Sequence, residues 1–497
     1  MVKDFSSNRT VFVKFFTTLG LLFLWACSPG SSLVQLGIIT PTPTPDPYSH
    51  HRALLQPAAA ADIEAAGPPP QLQISARLSP DETTLTGVMK LTLPASPPEL
   101  FFRLYPNLAN YNGSIEVSQA RVNGSDTPFT LLAGDSALQL APPPAAAGAP
   151  AVIELAFATR LGQAAPADDY TLFGWAGEVL SLPGFFPMPA ARQNGEWVLD
   201  VPPPHGDVLF SEVALYQLEL TLPGRLVVAS SGVPLNVINN ADGSRTWQLA
   251  GGPLRDFTII AGPFQAVSAN AAGATVTSYY LPGHETTARA VLGHAAASLR
   301  LYSDSYGPYP YTKLDVVEAP LGYRGMEYSG LVLIGDALYR DPREFLTFLV
   351  AHEVAHQWWY AVVGNNPYRH PWLDEGLTEY SAFDYYRGVF GQSRAEELLT
   401  GRWQIPFAGA AAGGIDGTVD RAAAEFDPLT YELLVYSKAA LFFNALRETL
   451  GDDTYRQVLQ SYYAENRYAI ATPQTLLATA QRVSGQDLTP LADKWLK

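Results

Sequence analysis

The sequence predicts an α+β multidomain fold, an N-terminal all-β domain of saddle or sandwich form followed by an α-rich domain. Three observations lead there. From Gln71 apolar residues alternate with polar ones, as in Leu85, Gly87, Met89, Leu91 and Leu93, which is the period of a half-buried strand. Beyond Gly283 the period becomes helical, with Ala290, Leu292, Ala295, Leu299 and Leu301 inside the run Ala288–Tyr302. A length of 497 residues also exceeds what one hydrophobic core usually serves.

The β domain is expected over residues 71–265. Leu218, Leu220 and Leu222 repeat the alternation, Leu226–Val228 resumes it, and turn signals at Pro223-Gly224 and Asn239–Gly243 separate the runs. Residues 266–497 form the second domain, in which a short β element, Leu314–Val317 and Leu331–Ile334, brackets Gly325-Met326-Glu327. Hydrophobic residues make up 47% and charged residues 16%, the balance of a folded globular chain and not of a disordered or coiled-coil one. The formal net charge of -16 excludes nucleic acid as a partner on electrostatic grounds.

Residues 1–27 read as an export segment. Lys3, Arg9 and Lys14 precede the uncharged stretch Phe15–Ala26, which is too short to cross a bilayer comfortably, and then comes Cys27, the single cysteine of the chain. Leu24-Trp25-Ala26-Cys27 resembles a bacterial lipobox with a bulky Trp25 at a position that favours small residues, so Cys27 is the expected lipidation site. Residues 28–70, with Pro41–Pro47 and an alanine- and proline-rich run to Pro70, are expected to be an extended, mobile linker. The whole reads as a body held outside a bacterial cytoplasmic membrane.

The chemistry concentrates after Asp341-Pro342, a pair suited to starting a helix that is expected to run to about Val363 and stop at Gly364–Pro367. Within it stands His352-Glu353-Val354-Ala355-His356. Histidines four apart share one helix face, so both rings can reach a single ion, and Glu353 can take a proton from an attacking water. A catalytic zinc needs a third protein ligand. Glu375 supplies it from a second helix expected over Glu375–Arg387, which the turn Asn365–Arg369 folds back against the first. Glu379, four residues on, is either the acceptor that orients a ligating ring or part of a solvated face. Taken alone, Glu327 would be an ordinary loop carboxylate and Tyr436 an ordinary helical aromatic.

The run His352-Glu-Val-Ala-His356-Gln-Trp, followed after eighteen residues by the glutamate of Trp372-Leu-Asp-Glu375-Gly, resembles the aminopeptidase N family of zinc peptidases. Gly325-Met326-Glu327, Tyr436-Ser437-Lys438 and the aromatic stretch Tyr306–Tyr311 carry the same likeness. It covers the chain from about residue 70 onward and is weakest in the β domain. The resemblance implies a thermolysin-like catalytic domain, one zinc ion per chain on His352, His356 and Glu375, and Glu353 as general base. It further implies that Gly325, Met326 and Glu327 bind substrate, with Glu327 on the free α-amino group, and that Tyr436 stabilises the oxyanion. Tyr431 lies close enough to compete but lacks the lysine two residues on.

Where the family usually has Gly-x-Met-Glu-Asn, Arg324 replaces the first glycine and Tyr328 the asparagine, which bears on substrate register. Many members continue into a large helical domain over the cleft, so a more open cleft is expected here. The expected activity is removal of N-terminal residues from peptides. An endopeptidase or an epoxide hydrolase of the same fold, and a non-catalytic surface lipoprotein that binds peptides, are the alternatives.

Overall fold

A computed structural model describes residues 46–65, 68–95, 97–141, 148–165 and 170–497. The export segment, Cys27 and the linker up to residue 45 lie outside these. The linker is shorter than expected, because residues 46–65 are ordered. Helical turns Ser49–Arg52 and Asp62–Ala65 bury Leu54, Leu55 and Ile63 in the main core, and the Gln56 amide donates to the Pro310 carbonyl at 2.8 Å. Composition hid three apolar side chains able to repay that ordering.

The N-terminal domain is built on an eight-stranded sheet. Its strands are β1 Gln71–Leu78, β2 Thr84–Leu93, β3 Gly113–Val122, β4 Ser125–Asp126, β5 Ala151–Leu161, β6 Ala214–Pro223, β7 Val233–Asn239 and β8 Ser244–Leu254, in the order β7-β8-β6-β1-β2-β5-β3-β4. Only the β1/β6 pair among the neighbours is parallel. In β5, Ala151, Ile153, Leu155, Phe157, Thr159 and Leu161 are buried while the residues between them are half-exposed or exposed, so the period of two fixes which face meets the core. Two four-stranded sheets and a two-stranded one, Arg192–Gln193 with Glu196–Trp197, complete the domain.

The second domain opens on a five-stranded sheet, β9 Gln265–Ala271, β10 Ala274–Tyr280, β11 Lys313–Ala319, β12 Gly325–Tyr328 and β13 Leu331–Gly335, in the order β9-β10-β11-β13-β12. The residues bracketed by the expected β element are thus themselves an edge strand, antiparallel to β13. Helix α1, Glu285–Ser305, connects the parallel strands β10 and β11 and packs on β9 and β10. Helix α2, Phe345–Ala355, lies against β12, β13 and α1, and helix α3, Trp372–Phe390, lies against α2. Nearly every side chain of α2 is buried, which explains why its sequence is apolar all round instead of along one stripe.

Two helix boundaries differ from expectation. Helix α2 begins at Phe345 and ends at Ala355, eight residues before Val363. Beyond it, tertiary partners take the carbonyls a continuing helix would use: Arg255 Nε donates to Tyr360 O at 2.6 Å, Arg255 Nη2 to Val362 O at 3.1 Å, and the Tyr468 amide to Val362 O at 2.7 Å. Asp341 does not cap α2: it closes the short helix Asp336–Arg340, and its side chain accepts from Arg343. Helix α3 opens three residues before Glu375 and runs three past Arg387, stopping at Gly391 with φ 91°. No helix among the described residues is long and apolar enough to cross a membrane.

Arg255 joins the domains. It is 2% exposed and also donates to Ser211 O at 3.3 Å and Ala469 O at 2.6 Å, so one guanidinium serves four carbonyls from three regions of the chain. Arg255→Met should therefore destabilise the protein by about 3–5 kcal/mol. A thermal midpoint within a degree or so of the parent, by calorimetry, would show that these contacts carry little.

Candidate active site

Helix α2 places His352 in its last turn, and His356 follows as the residue that caps it. The turn after Gly364 brings the chain back. Asn365 Nδ2 donates to Asp374 Oδ1 at 2.9 Å, and Asn366 Oδ1 accepts the amides of Tyr368 and Arg369, so α3 starts beside α2 with Glu375 in its first turn. Gly376 makes the close approach of the next helix possible: a Cβ there would stand 2.4 Å from that of Ala439.

These elements bring three ligand atoms together. His352 Nε2 and His356 Nε2 are 3.2 Å apart, and Glu375 Oε2 lies 3.4 Å from the first and 3.5 Å from the second. For bonds of about 2.0–2.1 Å, a tetrahedral site has ligand atoms about 3.3–3.4 Å apart, so the trio fits a zinc ion. The chemistry agrees, since Glu375 Oε2 is buried without a hydrogen-bond partner among the described residues. His356 donates from Nδ1 to Trp359 O at 3.1 Å, which turns its Nε2 lone pair toward the trio. Burial alone would raise the Glu375 carboxyl; the two imidazoles facing it hold it well below the usual range.

Glu353 projects beside the trio, with Oε2 buried and unpartnered, and burial pushes its carboxyl well above the ordinary range. Oε1 rests against Gly325, where an added Cβ would lie 2.0 Å away. Glu327, 6% exposed on β12, is close enough that its carboxylate, that of Glu353 and a ring nitrogen of His356 fall within 4.8 Å of one another. Tyr436 sits in a π-helical segment, Glu432–Lys438, a geometry frequent at functional positions. Its hydroxyl donates to Glu375 Oε1 at 2.5 Å. Tyr431 borders the same site, its ring 5.8 Å from that of Tyr436 and 5.0 Å from that of His205, and its hydroxyl is buried beside Gly206.

Of the residues singled out from sequence, His352, His356, Glu375, Glu353, Glu327, Gly325 and Tyr436 meet at this site. Met326 lines the small cavity around Glu327 with Tyr111, Tyr360 and Asp207. Glu379 is buried, so the solvated-face reading does not hold for it. One carboxylate oxygen lies 3.5 Å from His352 Nδ1.

Asp207 was not visible in the sequence. It comes from the β domain, lies within hydrogen-bonding reach of Glu327, and is raised to about 6, chiefly by burial. The signal for it was Pro202-Pro203-Pro204-His205-Gly206 just before, a stiff tract ending in a glycine with φ 85° that aims one carboxylate across the domain boundary.

Residues 291–495 match the model of the peptidase family M1 domain. Aminopeptidase M1-C of Oryza sativa subsp. japonica is 28% identical over 302 residues, which is 57% of this chain and 34% of that protein. Endoplasmic reticulum aminopeptidase 1 of Rattus norvegicus is 26% identical over 252 residues, 47% of this chain and 27% of its own length. The matched stretches thus span about a third or less of these relatives. Among solved structures, an M1 zinc metallopeptidase from Deinococcus radiodurans superposes with a TM-score of 0.64 at 20% identity, covering 86% of this chain and 93% of that one. That likeness establishes the two-domain fold.

The Gly325 contact yields a test. Gly325→Ala should push the Glu353 carboxylate aside and lower turnover on the order of 100-fold, while zinc content stays at that of the parent. Parental kcat in the variant would show that Glu353 does not need this space.

Proposed function

Since residues 291–495 match the model of the peptidase family M1 domain, we propose that the chain is a zinc-dependent aminopeptidase that removes N-terminal residues from peptides. The observation that carries the reading is the buried trio of His352 Nε2, His356 Nε2 and Glu375 Oε2 at 3.2–3.5 Å, with two further carboxylates, Glu353 and Glu327, on its flank.

His352, His356 and Glu375 hold the zinc. Bound there, the ion supplies Lewis-acid polarisation of the scissile carbonyl and acidifies water. Glu353 takes the proton of the attacking water on Oε2, which is buried without another partner, and passes it to the departing amine. Tyr436 turns its hydroxyl from Glu375 to the carbonyl oxygen as negative charge grows there. Glu327 pairs with the α-ammonium of the substrate and so sets the cut one residue in, with Gly325 and Met326 flanking the peptide on the edge strand β12. Glu379 faces Nδ1 of His352 and orients that ring.

We also propose that the protein is exported and held at the outer side of a bacterial cytoplasmic membrane through lipid on Cys27. The uncharged stretch Phe15–Ala26 ahead of that cysteine and the proline-rich tract behind it support this. Cys27→Ser should release the protein from the membrane fraction; retention at the parental level would rule out lipid on Cys27 as the anchor.

Free and N-acetylated aminoacyl fluorogenic substrates, assayed with zinc content on the same sample, test the activity. Cleavage is expected only with the free amine, and Glu353→Gln should lose turnover while keeping zinc. Equal cleavage of acetylated substrates would remove Glu327 as the amine anchor and leave an endopeptidase.

A further inference from the structure

The two zinc-binding histidines are oriented by different means. The backbone orients His356, through Trp359 O. His352 Nδ1 has no hydrogen-bond partner among the described residues, and the nearest carboxylate oxygen is Glu379 Oε1 at 3.5 Å. Glu379 is itself gripped from below. Arg402 Nε donates to its Oε2 at 2.8 Å, Arg402 Nη2 to its Oε1 at 2.7 Å, and Trp403 Nε1 to its Oε2 at 2.5 Å. Arg402 and Trp403 are consecutive residues of a second π-helical segment, Leu399–Gln404. The guanidinium also lies 3.9 Å over the ring of Phe348, which packs 5.9 Å from the ring of His352.

We propose that Arg402 is a positioning residue which, through Glu379, fixes the tautomer of His352 and thereby the affinity of the site for zinc. The inference rests on the zinc reading above. Three N–H donors converge on the Glu379 carboxylate, so toward His352 it acts only as an acceptor. The ring then carries its proton on Nδ1 and presents the lone pair of Nε2 to the metal position. The fork of Arg402 meets both oxygens at once, which fixes the plane of the carboxylate as well as its place. Trp403 supplies one donor, aimed at Oε2, and leaves Oε1 to be held by Arg402 alone on the side that faces His352.

The test measures zinc affinity of the metal-free full chain by chelator competition. Arg402→Met and Glu379→Gln are each expected to weaken zinc about 10- to 100-fold. The double variant should be no weaker than Glu379→Gln alone, because Arg402 acts through Glu379. Arg402→Lys keeps the charge without the fork and should recover part of the loss; if Arg402→Met fails to fold, the comparison is read from Arg402→Lys against Glu379→Gln. Parental zinc affinity in the Arg402 variants overturns the proposal, and so do losses that add in the double variant, which would mean that Arg402 serves the fold and not the histidine. Absence of zinc binding by the parent chain would instead overturn the zinc reading itself.

Discussion

The arrangement turns on one constraint: two imidazole nitrogens and one carboxylate oxygen, all buried, must stand within 3.5 Å of each other. No single element can supply them. A helix offers two ligands four residues apart, and the third must come from a second helix whose first turn meets the last turn of the first. The Asn365–Asp374 hydrogen bond and the glycine at 376 exist to meet that requirement, one by setting where α3 begins and the other by letting the helix after Lys438 press on it. A displacement of α3 by one ångström would place Glu375 Oε2 outside bonding distance of any shared ion.

The β domain enters the same constraint from the far side. Arg255 and Asp256, adjacent and buried, make most of their hydrogen bonds to the second domain: Arg255 to the carbonyls of Tyr360, Val362 and Ala469, Asp256 to the Ser329 amide and hydroxyl and the Tyr360 hydroxyl. Those partners flank the segment leaving His356 and the strand leaving Glu327. The β domain therefore stiffens both walls of the site while sending Asp207 into it. Buried charges of this kind are weak sources of net stability but strong sources of a single geometry, because any other arrangement leaves a charge unpaired.

Much of the site was legible because ligand spacing is a geometric statement. Histidines at i and i+4 share one helix face, and that held even though the helix ends at Ala355, for His356 keeps the helical turn as its cap. The early end was only weakly legible: the aromatic and β-branched run Trp358–Val363 is a poor helix former, but the breakers at Gly364–Pro367 suggested a later stop, and Arg255 and the Tyr468 amide, each about a hundred residues away in sequence, hold these carbonyls outside the helix. The alternation of 71–265 announced strands without their order, since the parallel pairing of β1 with β6 joins segments far apart in the chain. Asp207 and Arg402 were hidden for the same reason. Each acts across an element boundary, on Glu327 and on Glu379, and neither lies in a run whose period marks it.

The electrostatics of the finished site point to what it must receive. Asp207, Glu327, Glu353, Asp374 and Glu375 are all buried around one small volume, and burial raises four of them above their ordinary range. Glu375 alone is held low, by the imidazoles. So many carboxyls in low dielectric repel one another, and among the described residues none of the five pairs with an Arg or Lys: Arg402 and Lys438 are committed to Glu379 and Asp416, and Arg324 lies over the ring of Tyr170. The missing positive charge has to arrive with the ligands. A divalent ion answers the Glu375 side, and an ammonium group answers the Glu327 and Asp207 side. Under the proposed function, a peptide that brings its own α-ammonium answers this imbalance, whereas an acylated amine brings no charge and leaves two carboxyls facing each other.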